Sequence, residues 1–142
     1  MKNLKDFKEF IEIGVVRKKF VDKSRARDLI EDSDKILKSV NEIVEKIGFN
    51  EINSTTIIKE SHDVILSLIR AKMLLNGFGA SGAGAHEAEV AYMRKLNFNE
   101  KEVQFVNQLR YFRNGIMYYG TKFDKEYAKK VYDFLNKIKK RF

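Results

Sequence analysis

The chain contains two histidines, no cysteine and no proline, so thiol chemistry is excluded and the groups of most interest are imidazole, guanidinium, amide and phenol. One segment concentrates them: Leu109-Arg110-Tyr111-Phe112-Arg113-Asn114-Gly115-Ile116-Met117-Tyr118-Tyr119-Gly120. On a helix, where successive residues turn by about 100°, Phe105, Leu109, Phe112 and Ile116 share one face. Val103, Val106, Arg110, Arg113, Asn114, Met117 and Tyr118 share the other. A helix with two apolar faces is buried on two sides, here by its own bundle and by a partner subunit or a ligand cleft. A guanidinium is costly to bury unpaired and sits where a carboxylate, a phosphate or water can meet it. Two readings of Arg110 and Arg113 follow from this: interface or surface ion pairs, or the wall of an anion cleft.

The remaining candidates are few. His86 stands at the junction between a glycine-rich stretch, Gly77 to Ala85, and the helix that follows; folding of that stretch over Arg113 would bring an imidazole to it. Gly77, Gly79 and Gly82 match G-x-G-x-x-G, but neither a strand nor a βαβ unit precedes them. The expectation is a flexible loop leading into a helix N-terminus that could attract an anion. His62 falls beside an apolar stripe of Ile58, Ile65, Leu66 and Ile69 and reads as a half-buried, satisfied histidine. Glu60, His62 and Asp63 have no second histidine at the i+4 spacing, so no metal site is expected there, and no cofactor is expected anywhere. Arg17-Lys18-Lys19 and the run from Lys137 to Arg141 are basic clusters, suited either to a phosphate backbone or to plain solvation.

These residues lie on about six predicted helices. The first is short, carries Leu4, Phe7, Phe10 and Ile11, and is interrupted at Gly14. The second starts at an Asp22 cap and ends at Gly48. The third runs from Ser54 to Asn76, and its wealth of Ile and Leu marks it as central. A short fourth spans His86 to Leu96. The fifth opens with a capping box, Asn99 with Glu102, and a staple, Phe98 with Val103, and ends near Tyr118 or Tyr119. The sixth follows Asp124. The predicted fold is all-α: one domain over 1–142, an up-and-down four-helix bundle with additional short helices.

Bulk properties bound the function. The net charge of +8 favours a polyanionic or acidic partner. No apolar run approaches the about 20 residues that cross a bilayer, the N-terminus lacks a secretory apolar region, and the absence of cysteine suits a reducing compartment. A cytoplasmic protein without a membrane role is expected.

The segment from Leu109 to Gly120 resembles the signature helix of the HEPN domain family, the higher eukaryote and prokaryote nucleotide-binding domains. The stretches Arg25 to Leu37 and Ser61 to His86, and the final helix, are similar to the family's other helices. The family motif is an arginine, often followed by a polar residue, then four to six residues and a histidine. The resemblance implies a helical bundle, commonly a homodimer. It implies a metal-independent ribonuclease of toxin–antitoxin or defence systems, or a partner of a minimal nucleotidyltransferase. Carried over, Arg113 would hold the phosphate, with Asn114 the polar residue after it. Tyr118, Tyr119 and Gly120 occupy the spacing where the histidine would stand, and tyrosine ionises near ~10. The expectation is therefore a nucleotide- or RNA-binding or nucleotidyltransferase-partner module with a degenerate ribonuclease motif. Its alternatives are an active ribonuclease using Arg113 with Tyr118, Tyr119 or His86, and a structural bundle with no nucleic-acid role. Arg110, Asn114 and His86 are the expected binding residues.

Overall fold

The computed structural model describes residues 3–118 and 124–142, with side chains for 3–115 and 124–142. Its helices are α1 (Phe7–Glu12), α2 (Lys23–Lys46), α3 (Ser54–Leu75), α4 (Ala85–Tyr92), α5 (Glu100–Tyr118) and α6 (Lys125–Lys139); two short strands, β1 (Val16–Lys18) and β2 (Phe78–Ala80), and a 3₁₀ turn (Met93–Leu96) complete the order. The class is all-α, as expected.

The helix starts are set by local chemistry. The Asp22 carboxylate accepts the Arg25 N–H at 3.0 Å and that of Asp124 accepts the Tyr127 N–H at 2.9 Å, each satisfying a donor left over at a helix start. The α5 capping box is reciprocal: Glu102 N donates to Asn99 Oδ1 at 2.9 Å and Asn99 N donates to Glu102 Oε1 at 3.0 Å. After α2, Gly48 takes a φ of +83°, the left-handed turn that glycine adopts without steric cost.

α3 is the central element, with α2, α4, α5, α6 and β2 all packed against it. Ile57, Ile58, Val64, Ile65, Ile69 and Met73 are essentially sealed from water, each contributing about 1.5–3 kcal/mol of hydrophobic burial. α2 supplies Leu37 and Val40 to this core, and α6 supplies Ala128, Val131, Leu135 and Ile138.

The glycine-rich stretch is not the loop expected of it. Phe78–Ala80 pairs antiparallel with Val16–Lys18, Val16 facing Ala80 and Lys18 facing Phe78. Lys19 N donates to Gly77 O at 2.7 Å and Ser81 N to Val15 O at 3.1 Å, extending the pairing at both ends. Gly77 sits at φ +81° with the Lys19 carbonyl 3.0 Å from where a Cβ would stand, which explains the glycine there. Three residues per strand are too few to show a period of two. Phe7 packs edge-on against Phe78 and Tyr92, with ring centroids 5.3 and 4.7 Å away, so α1, the ribbon and α4 form one aromatic cluster.

α5 corrects a second expectation. Val103, Val106 and Leu109 are fully buried, whereas Phe105 and Phe112 are partly buried and meet Phe134 and Tyr127 of α6 at 4.5 and 5.4 Å. The main core seam runs between the two expected stripes, and the apolar part of the supposed outer face is filled by the chain's own core. A partner subunit is therefore not needed to explain Val103 and Val106.

Candidate functional site: an arginine-lined cavity between three helices

A cavity of about 380 Å³ opens where α3, α4 and α5 meet. From α3 come His62, Asp63, Leu66, Ser67 and Arg70, spaced so that one helix face carries them all. α4 adds His86, and α5 adds Arg110, Arg113 and Asn114. The expected grouping of Arg110, Arg113, Asn114 and His86 is thus brought to a single cavity. Tyr118 ends α5, but its side chain and all of Tyr119 lie outside the described residues.

Each guanidinium is held. Arg113 donates from Nε to Asp63 Oδ1 at 3.1 Å and from Nη2 to Oδ2 at 3.2 Å, the two-point geometry that arginine makes with carboxylates. Arg70 grips Glu89 in the same way, Nε to Oε2 at 2.5 Å and Nη2 to Oε1 at 3.1 Å. Arg110 donates to Asn107 Oδ1 from Nε at 3.3 Å and from Nη2 at 3.1 Å. It also lies 3.8 Å from a Glu87 carboxylate oxygen and 4.6 Å from the centre of the Tyr111 ring. The α5 arginines therefore form ion pairs, and they do so in the wall of a cavity.

The two carboxylates differ. Glu89 has a side chain only 3% exposed and is shared between Arg70 and His86, whose Nδ1 lies 2.9 Å from Oε1. Burial works against the Glu89 charge, but hydrogen bonds from His86 and Arg70 outweigh it and hold the carboxyl below its ordinary range. Asp63 is 41% exposed. Burial again opposes the charge, and contacts with His62 and Arg113 again prevail, so Asp63 is also pushed down.

His62 departs from the reading of a satisfied, half-buried histidine. The residue is 3% exposed, and neither ring nitrogen has a hydrogen-bond partner. Asp63 Oδ1 lies 3.5 Å from Nδ1, beyond a well-formed hydrogen bond. Burial is the main cause that lowers its pKa, with Arg113 and His86 adding to the effect and Asp63 opposing it. The ring is therefore neutral near pH 7.

Reasoning from the sequence missed Arg70, Ser67 and Glu89 and set Asp63 aside as part of an improbable metal group. The available signal was a polar i, i+1, i+5, i+8 stripe, His62, Asp63, Ser67 and Arg70, on a helix that is otherwise Ile- and Leu-rich. Among the described residues, no three potential ligands stand close enough to hold a metal ion. The basic tail is partly used inside the fold: Lys139 reaches Asp34 at 2.8 Å, and Arg141 binds Glu102 at 2.9 Å and the Asn97 carbonyl at 2.7 Å. Among the described residues, no helix is long and apolar enough to cross a membrane.

Chemically, the cavity lining offers three guanidiniums, an amide and a hydroxyl, with two imidazoles at hand; each guanidinium has a carboxylate within 4 Å, Asp63, Glu89 or Glu87. Comparison with family models, with curated proteins and with solved structures returned no match, so the site is interpreted from its own geometry.

Proposed function

We propose that this chain is a HEPN-like nucleotide- or RNA-binding module whose phosphate site is the cavity between α3, α4 and α5. One observation carries the reading: Arg70, Arg110 and Arg113, from two helices, converge on one cavity. Guanidinium forks match phosphate oxygens, and the net charge of +8 would draw a polyanion towards them. Arg113 and Arg110 bind the phosphate, and the Asn114 amide and His86 imidazole donate to neighbouring oxygens. Dimerisation through α5 and pairing with a small nucleotidyltransferase, as in toxin–antitoxin or defence systems, belong to the same proposal and are read by co-purification. The test is fluorescence anisotropy with a labelled single-stranded RNA. Wild type binds with an affinity that falls as salt rises, and Arg113→Gln and Arg110→Gln each weaken binding by about tenfold or more. Equal affinity across the three proteins would remove the reading.

A second reading has its own support: the His86 imidazole lines the same cavity as Arg113. In that reading the chain is a metal-independent ribonuclease, with His86 moving the proton that the motif's absent histidine would have moved, or with Tyr118 or Tyr119 in that role. RNA incubated in EDTA is cleaved by wild type, and the rate falls by about 10²–10⁴ in the variant that removes the acid–base group. Cleavage that His86→Ala and Arg113→Ala both leave untouched would defeat it.

A further inference from the structure

Asp63 stands between two cationic or potentially cationic groups. On one side Arg113 holds both of its oxygens, at 3.1 and 3.2 Å. On the other, His62 Nδ1 lies 3.5 Å from Oδ1, and both nitrogens of that buried ring lack a hydrogen-bond partner. All three groups face the same cavity. An anion that enters must compete with Asp63 for the Arg113 fork, because both want the same planar array of donors. Two anions on one guanidinium repel each other, so the displaced carboxylate needs a new cation. The imidazole beside it becomes that cation by taking a proton from solvent.

We propose that a phosphodiester oxygen captures Arg113, Asp63 turns onto His62, and His62 takes up one proton, so that phosphate binding in this cavity is coupled to protonation of a buried histidine. The inference rests on the phosphate site proposed above and adds His62 and Asp63 to it as positioning residues. Charge balances: the phosphodiester brings one negative charge and the proton one positive. The groups facing His62 explain why it stays neutral beforehand. Arg113 from α5 and His86 from α4 disfavour its charge, Asp63 favours it, and burial decides the balance against it. Arg70 is occupied by Glu89, which also holds His86, so neither of those groups is free to take over Asp63. A bound phosphate offsets the Arg113 charge and releases Asp63, and both changes raise the proton affinity of His62. Affinity therefore increases as pH falls through the imidazole range, by at most about tenfold per pH unit for one coupled proton.

The experiment is calorimetric titration of the full chain with a short single-stranded oligouridylate, whose phosphodiesters do not titrate in this range. Near pH 6.5, the ordinary imidazole value, it is run in two buffers of different ionisation heat. Wild type takes up as much as one proton per bound RNA; His62→Gln still binds but takes up none. RNA binding without proton uptake, or uptake that survives His62→Gln, overturns the coupling and leaves the phosphate site standing. Failure of wild type to bind RNA overturns both. A ligand-free measurement guards against a misfolded variant. In Arg113→Gln, histidine ring NMR shows His62 titrating about one pH unit or more higher than in wild type, and the rise is absent from the Asp63→Asn, Arg113→Gln double variant. An unshifted His62, or a rise that persists without the Asp63 carboxylate, overturns the proposal.

Discussion

α5 carries an arginine–carboxylate pair near each end, and the two are built differently. At its start, Glu102 has a side chain only 6% exposed. It takes the Asn99 N–H at 3.0 Å and Arg141 Nη1 at 2.9 Å, while Arg141 also reaches the Asn97 carbonyl and lies 4.0 Å above the Phe98 ring. Burial opposes the Glu102 charge, and the Asn99 and Arg141 contacts overcome it, so its carboxyl sits below the ordinary range. Near the other end, Arg113 also grips a carboxylate, but Asp63 is 41% exposed, faces a cavity and has an unsatisfied imidazole behind it. In the first pair the carboxylate is the sealed member, Arg141 being 39% exposed, and the pair joins α5 to the end of α6. The second leaves room for a competing anion and a second place for the carboxylate to go. Ion-pair geometry alone does not separate structural arginines from functional ones; the space and the spare partners around the pair do.

Single substitutions separate the two pairs, the most damaging first. Glu89→Ala removes a buried carboxylate that both Arg70 and His86 contact and is expected to cost about 3 kcal/mol of stability, read by denaturant melts. The cavity would then prove to contain one closed pair beside the open one. Next, Arg113→Gln weakens RNA binding by about 1.5–3 kcal/mol, beyond any loss of stability from its pair with Asp63. Arg141→Gln does the reverse, costing about 1 kcal/mol of stability and leaving RNA affinity alone; equal losses of affinity in the two variants would break the distinction. The third test is pH. The folded-state pKa of His62 lies below the ordinary 6.5, so below that pH the unfolded chain binds a proton that the folded chain refuses. Stability falls by up to about 1.4 kcal/mol per pH unit in that window, until the folded pKa is reached. His62→Gln flattens this slope, whereas the depressed carboxylates Asp63, Glu89 and Glu102 act only at more acid pH, near and below their ordinary values. The smallest effect is Asn99→Ala, which removes the α5 cap for about 1 kcal/mol and should not alter the cavity.

The same contrast explains what could be read from sequence. The caps at Asp22, Asn99 with Glu102, and Asp124 were legible because each is decided within four residues. The central place of α3 was legible because nearly every turn of it is apolar. The β1–β2 ribbon was not, since strands this short carry no pattern of their own. Of the cavity, Arg110, Arg113, Asn114 and His86 could be singled out by type and spacing. Their partners could not: Asp63 is 50 residues from Arg113, and Glu89 is 19 from Arg70. Such pairings are set by how helices dock. His62 was misjudged for the same reason, because helical spacing reveals which face a ring is on but not whether its nitrogens find company there.

The ribbon has a mechanical corollary. α4 begins five residues after β2, and the segment between is pinned where Ser81 bonds to Val15. The imidazole at the mouth of the cavity therefore rides on a stapled hinge post and not on a swinging door. Among the described residues, a ligand entering this cavity would be admitted by side chains trading places, a faster and more local event than displacement of this segment.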